Sequence, residues 1–171
     1  HDNSSQSHSA ASGRRLVRVV SFGFKKAAPP IDANLLFDVR FLKNPYWVEE
    51  LRPLTGLDLP VRNYVMEQDL ARQFLANLLQ MVEQVMPSMF ETKSNVFTIA
   101  LGCTGGQHRS VSVAETLAQE LQKRYPEVDL EVQHRELHQP IDVELTVKSA
   151  SSAAGELGKS LTVAWARLAA A

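Results

Sequence analysis

Cysteine is nearly absent: Cys103 is alone among 171 residues, so no internal disulfide can form, and no Cys/His spacing describes a zinc site. A reducing, cytoplasm-like compartment is the simplest expectation. Long apolar runs are absent too, none approaching the roughly 18 residues that suggest a membrane span. There is no excess of one charge, since 18 Lys and Arg against 19 Asp and Glu leave a formal net charge of -1. That balance excludes a protein that coats nucleic acid by bulk basicity, so any RNA contact needs a local basic patch. His1 to Gly13 is rich in Ser, His and Ala without an apolar stretch, so it reads as a flexible tail and not as a secretion signal. The chain also lacks an initiating Met, as expected of a processed product or one domain of a longer protein. What is present, 44% hydrophobic and 22% charged residues, is the balance of one soluble globular domain.

We divide the chain into a flexible tail at 1–15, a ligand-binding domain at 16–140 and a C-terminal extension at 141–171 whose role is open. The patterning predicts an α/β fold, with a mixed, partly parallel sheet flanked by helices and a glycine-rich anion loop between strand and helix. Leu16 to Phe22 reads as a first strand ending at Gly23. Asp32 is placed to cap a short helical turn through Leu36. Leu42 to Pro60, with three prolines and Gly56, reads as a long loop with short helical pieces. From Glu67 to about Val85, Leu70, Phe74, Leu78, Met81, Val82 and Val85 recur at helical spacing as one buried face, with Pro87 near the end. Val96 to Leu101 is a continuous apolar run, as in a strand covered on both faces. Val111, Ala114, Leu117, Ala118 and Leu121 then keep helical spacing, and Val128 to Val132 supplies another strand, giving a βαβ unit. Asp142 to Val147 suits a strand and Ser160 to Ala171 a helix.

The loop Gly102–Ser110 carries the chemistry. A loop that leaves a buried strand and opens a helix presents backbone N–H groups without helical partners, and the helix dipole adds positive charge. An anion, phosphate or phosphate-like, is its natural occupant. Gly102, Gly105 and Gly106 admit close backbone approach. Thr104 and Ser110 bring hydroxyls, Arg109 a planar fork matched to phosphate oxygens, and His108 a proton donor near neutral pH. An alternative starts from Cys103 and Arg109, whose Cys-x5-Arg-Ser spacing is that of cysteine-dependent phosphatases. There Cys103 would attack phosphorus, Arg109 clamp the oxygens, Ser110 assist the leaving thiolate, and Asp38 or Asp58 supply the general acid. Gly102 stands where that pattern usually has His. No cofactor or metal is expected in either reading.

Ser21–Lys25 (SFGFK), Phe37–Trp47 (FDVRFLKNPYW), Leu51–Asp58 (LRPLTGLD), Ile99–Val111 (IALGCTGGQHRSV) and His134–Glu136 (HRE) together resemble the C-terminal domain of the RapZ-like family of RNase adapters, also described as P-loop nucleotide-binding proteins. The resemblance runs from about Val17 to Leu137. It implies a cytoplasmic domain that binds glucosamine-6-phosphate, self-associates and in some bacteria binds a small regulatory RNA presented to an endoribonuclease. By motif, Cys103, Thr104, Gly105, Gly106, His108 and Arg109 are implied as the phosphosugar loop. Lys25, Asp38, Arg40, Asn44, Arg52, Thr55 and His134 are implied around the same cleft. Two departures bear on RNA and anion binding: Gln107 replaces a frequent Lys, and Tyr46 stands where RNA-regulating relatives have His. The family's N-terminal kinase-like half has no counterpart in these 171 residues, so nucleotide hydrolysis is not carried over.

Lys25, Lys26 and Arg18, with Arg14 and Arg15, are the candidate RNA patch, with a solvated surface as the competing reading. Phe41, Tyr46 and Trp47 are expected to pack the core rather than stack on bases or a sugar. Met81, Met86 and Met89 read as core fillers. Ala153 to Ser160 fits a relaxed Walker A pattern, but too little chain follows it for a nucleotide fold, and a linker is expected.

Overall fold

Three β-rich runs and one short edge segment build the sheet of this computed structural model, which describes residues 13–92 and 94–137. The strands are β1 (Leu16–Gly23), β2 (Leu35–Asp38), β3 (Val96–Cys103) and β4 (Asp129–His134). They lie in the order β2-β3-β1-β4, and every neighbouring pair is parallel. The α/β expectation holds, and the described sheet is parallel throughout. The strands read as flanking the glycine loop, β3 and β4, are not neighbours, because β1 lies between them and the helix that joins them must cross it.

Three helices flank the sheet: α1 (Leu59–Met66), α2 (Asp69–Glu91) and α3 (Arg109–Arg124). Successive strand residues point to opposite faces. Val17, Val19, Phe97, Ile99, Leu101 and Cys103 therefore join the main core with Leu78, Val82, Leu117 and Leu121 of the helices. Val20, Phe22 and Ala100 point the other way, where Phe24 and Ala33 of the β1–β2 connection cover them. Adjacent β1 and β3 thus send their chains to opposite faces. That divergence opens a crevice at the carboxyl ends of parallel strands, the place where α/β sheets bind ligands.

Several local expectations are corrected. Residues 35–38 are edge strand rather than a turn capped by Asp32, because pairing with β3 in register Leu35↔Ile99 satisfies their backbone. α1 begins at the last two residues of the expected loop and runs on to Met66, with Pro60 in its first turn, where a missing N–H costs nothing. α2 continues past Pro87 to Glu91, because Met86 before it and Phe90 after it stay buried and only one helical hydrogen bond is lost. Leu70 and Met81 of α2 are exposed, as are Phe41, Tyr46 and Trp47, the last at 77%. The segments expected at 142–147 and 160–171, and the Walker-like run at 153–160, lie outside the described residues. No helix among the described residues is long and apolar enough to cross a membrane.

Ile99 is fully buried on the helix side, between β1 and β2. Ile99→Ala should cost about 2–5 kcal/mol in urea unfolding, and a loss below about 1 kcal/mol would mean that this core is not packed as described.

Candidate functional site

Cys103 ends β3 and Arg109 begins α3, so the glycine loop is the five-residue link Thr104–His108. Its shape depends on Gly106, whose φ of 74° is a conformation that residues with a Cβ rarely adopt. A Cβ there would also stand 2.4 Å from Glu136 Cγ and 2.7 Å from the Gly23 amide nitrogen. The loop is pressed against the end of β1, and the Lys25 amide donates to Thr104 O at 3.2 Å. At Gly105, by contrast, a Cβ would meet nothing within 4 Å.

α3 lacks the ordinary devices for closing a helix start. His108 holds the N-cap position without a side-chain cap, and the first turn has no acidic residue. The Gly106 amide donates to Cys103 Sγ at 3.3 Å. The amides of Thr104, Gly105, Gln107, His108, Arg109 and Ser110 have no acceptor among the described residues.

Arg109 is 6% exposed. Its Nη1 donates to Arg40 O at 2.8 Å and Leu42 O at 3.0 Å, and Nη2 donates to Thr104 Oγ1 at 3.3 Å. Its Nε is buried with no partner, and no carboxylate pairs with this guanidinium among the described residues. The nearby Asp38 is held by Arg40, through Nε at 2.9 Å and Nη2 at 2.7 Å. That hydrogen bonding lowers the Asp38 pKa, with the Arg109 charge adding to it. Arg40 also lies over the Phe24 ring at 4.2 Å, fixed beside the end of β1.

The other expected site residues divide into those near the loop and those committed elsewhere. Cys103 and Ser110 turn inward, with Sγ 3.1 Å from Oγ and both residues buried. His108 faces the 51–54 segment, its Nε2 3.3 Å from Arg52 O, and burial lowers its pKa. Asn44 caps the 3-10 turn Pro45–Trp47, and Arg52 donates to Tyr46 O while lying over the Tyr46 ring. Asp58 accepts from the Thr55 amide and Thr55 Oγ1 from the Leu57 amide, a self-contained turn. Lys25 and Lys26 are exposed after β1, whereas Arg18 is mid-strand in an ion pair with Glu131. The candidate RNA patch is therefore not brought together as three free cations. His134 has both ring nitrogens engaged, by Ser21 and Glu115. Those two partners were missed in the sequence, although Glu115 interrupts the apolar stripe from Val111 to Ala118.

A profile described as the RapZ C-terminal domain matches residues 15–138. A nucleotide-binding protein of Lactobacillus acidophilus is 49% identical over 121 residues, covering 71% of this chain and 40% of the relative. Similar proteins of Corynebacterium diphtheriae, 47% identical, and Corynebacterium efficiens, 46% identical, are covered to 40% and 38% of their length, again by 71% of this chain. The chain thus spans about 40% of the length of such relatives.

Gly106→Ala should destabilise by more than about 1 kcal/mol, the lower cost of a left-handed residue before its clashes are counted. Gly105→Ala should unfold within about 0.5 kcal/mol of wild type; equal losses in denaturant melts would contradict the loop geometry. Because burial depresses the folded-state pKa of His108 below 6.5, the unfolded chain binds its proton first. The contribution of neutral His108 is complete above that pH and lost as pH falls toward the depressed value. Urea unfolding between pH 7.5 and 5.5 should therefore lose more stability in wild type than in His108→Gln, and identical slopes would refute the assignment.

Proposed function

Because this chain belongs to the RapZ C-terminal domain family, we propose that it is a non-catalytic, cytoplasmic sensing domain that holds a phosphorylated amino sugar, glucosamine-6-phosphate or a close analogue, by its phosphate at the Cys103–Ser110 loop. The observation that carries this reading is the buried Arg109 guanidinium at the positive end of α3, with its Nε unpartnered and no carboxylate on it among the described residues. A buried cation without a counter-charge is expensive, and a phosphate supplies that charge and acceptors for the open amides. Ligand occupancy would be signalled to a partner of the adapter type, with self-association as part of the assembly. An RNA partner gains little from Arg18, which Glu131 neutralises.

The phosphatase alternative draws less from the same geometry. Asp38 is bound by Arg40 and Asp58 closes a turn, so neither candidate acid is free to protonate a leaving group. Cys103 is 3% exposed and receives the Gly106 amide, which favours a bracing role under the loop.

Calorimetry on the full chain with glucosamine-6-phosphate, inorganic phosphate, glucosamine and ATP tests the proposal. Both small phosphorylated ligands should release heat and glucosamine none. The ATP arm tells a nucleotide site, which the relatives' names invoke, from a phosphosugar site. Arg109→Met should weaken phosphate binding roughly 10- to 100-fold, the equivalent of a charged hydrogen bond of about 1.5–3 kcal/mol. No heat with either small phosphorylated ligand would sink the reading, and phosphate release that Cys103→Ser abolishes would replace it with the phosphatase.

A further inference from the structure

His134 sits in a buried polar chain that the anion loop does not explain. Its Nδ1 is 2.6 Å from Ser21 Oγ, and its Nε2 is 2.8 Å from Glu115 Oε1. Ser21 is fully buried, Glu115 is 4% exposed, and the His134 side chain is 11% exposed. With both nitrogens engaged, the ring has no atom left for a ligand. Glu115 can only accept when ionised, so Nε2 carries a proton, and in the neutral ring Nδ1 is left to accept from the Ser21 hydroxyl. One imidazole thereby links β1, β4 and α3.

The turn that follows His134 reaches the anion loop. The Arg135 amide donates to Ser21 O at 3.0 Å, its guanidinium to Ala28 O at 3.2 Å, and the Leu137 amide to His134 O at 3.3 Å. Between those anchors Glu136 is laid against Gly106, its Cγ 2.4 Å from where a Cβ would be. Gly106 has Gly23 on another side and donates its amide to Cys103 Sγ. The left-handed residue that shapes the loop is thus confined by β1 and by a turn tethered at His134.

We propose that His134 is a positioning residue for the anion loop, acting through the 135–137 turn and Glu136 on Gly106, and not a ligand contact. The inference rests on the anion reading for its effect on affinity, but not for its effect on the loop itself. Removing the imidazole's donor also leaves Glu115 buried without a partner among the described residues, so His134→Ala is paired with two gentler variants. His134→Gln keeps one donor and one acceptor, and Glu136→Ala removes only the side chain that rests on Gly106.

The test uses the full chain labelled with nitrogen-15. In the ligand-free protein, the His134 ring should show a single tautomer with its proton on Nε2, and the Gly106 amide should be protected from hydrogen exchange. His134→Ala and Glu136→Ala should lower that protection and weaken inorganic phosphate binding about tenfold, the lower range for outer partners of metal-ligating histidines. His134→Gln should recover most of both. Direct ligation would instead move the His134 nitrogen signals on adding phosphate more than those of Gly106, and that result overturns the proposal. So does unchanged Gly106 exchange in Glu136→Ala and in any folded His134→Ala. If wild type binds no phosphate, the anion reading fails, and the exchange comparison still decides the positioning role.

Discussion

A guanidinium buried at the start of a helix is the constraint on which the site depends. Arg109 lies where the peptide dipoles of α3 already concentrate positive charge, and burial deprives it of water. Three neutral oxygens meet it, two from the 40–42 turn and one from Thr104. They anchor the fork without cancelling its charge. The nearby Asp38 is committed to Arg40, so no carboxylate among the described residues neutralises this guanidinium. The same side chain ties the turn after β2 to the glycine loop, so the candidate site and the local architecture are one arrangement.

Parallel topology explains why this arrangement sits where it does. β1 and β3 are paired to their last residues, Gly23 with Cys103, and then diverge to opposite faces. Besides the 51–58 segment, what lines the loop arrives from strand ends: Phe24 and Lys25 from β1, Asp38 and Arg40 from β2, Cys103 from β3, and the 134–137 turn from β4. Each strand contributes through backbone register, so a local shift in any one of them would displace the others' contributions at the crevice.

The glycine loop, its strand and its helix were legible because an apolar run, a glycine cluster and a 3.6-residue stripe follow one another there. α1 was not, since only Val61 and Val65 of its eight residues are buried and its sequence carries little amphipathic signal. β2 is four residues of edge strand whose backbone is satisfied by β3, 64 residues on in the chain, which no local pattern reports. The buried Ser21 and Glu115 that occupy both ring nitrogens of His134 come from other elements, which its motif does not report. Trp47 and Tyr46 were expected inside because aromatics usually are, yet the 3-10 turn capped by Asn44 leaves both outward. The family resemblance identified the right stretch of chain, but side-chain direction was fixed by tertiary contacts.

Gly56 joins the two halves of the crevice. Its amide donates to Gln107 O at 2.8 Å, and a Cβ there would stand 2.5 Å from the Ser112 nitrogen and 2.6 Å from His108 O. A backbone this close leaves no slack between the 51–58 segment and the first turn of α3. Drift in sequence at one surface is therefore coupled to the other, and variation in such a fold would have to be accommodated at flanking positions such as 52 to 55, with the contact at 56 held constant.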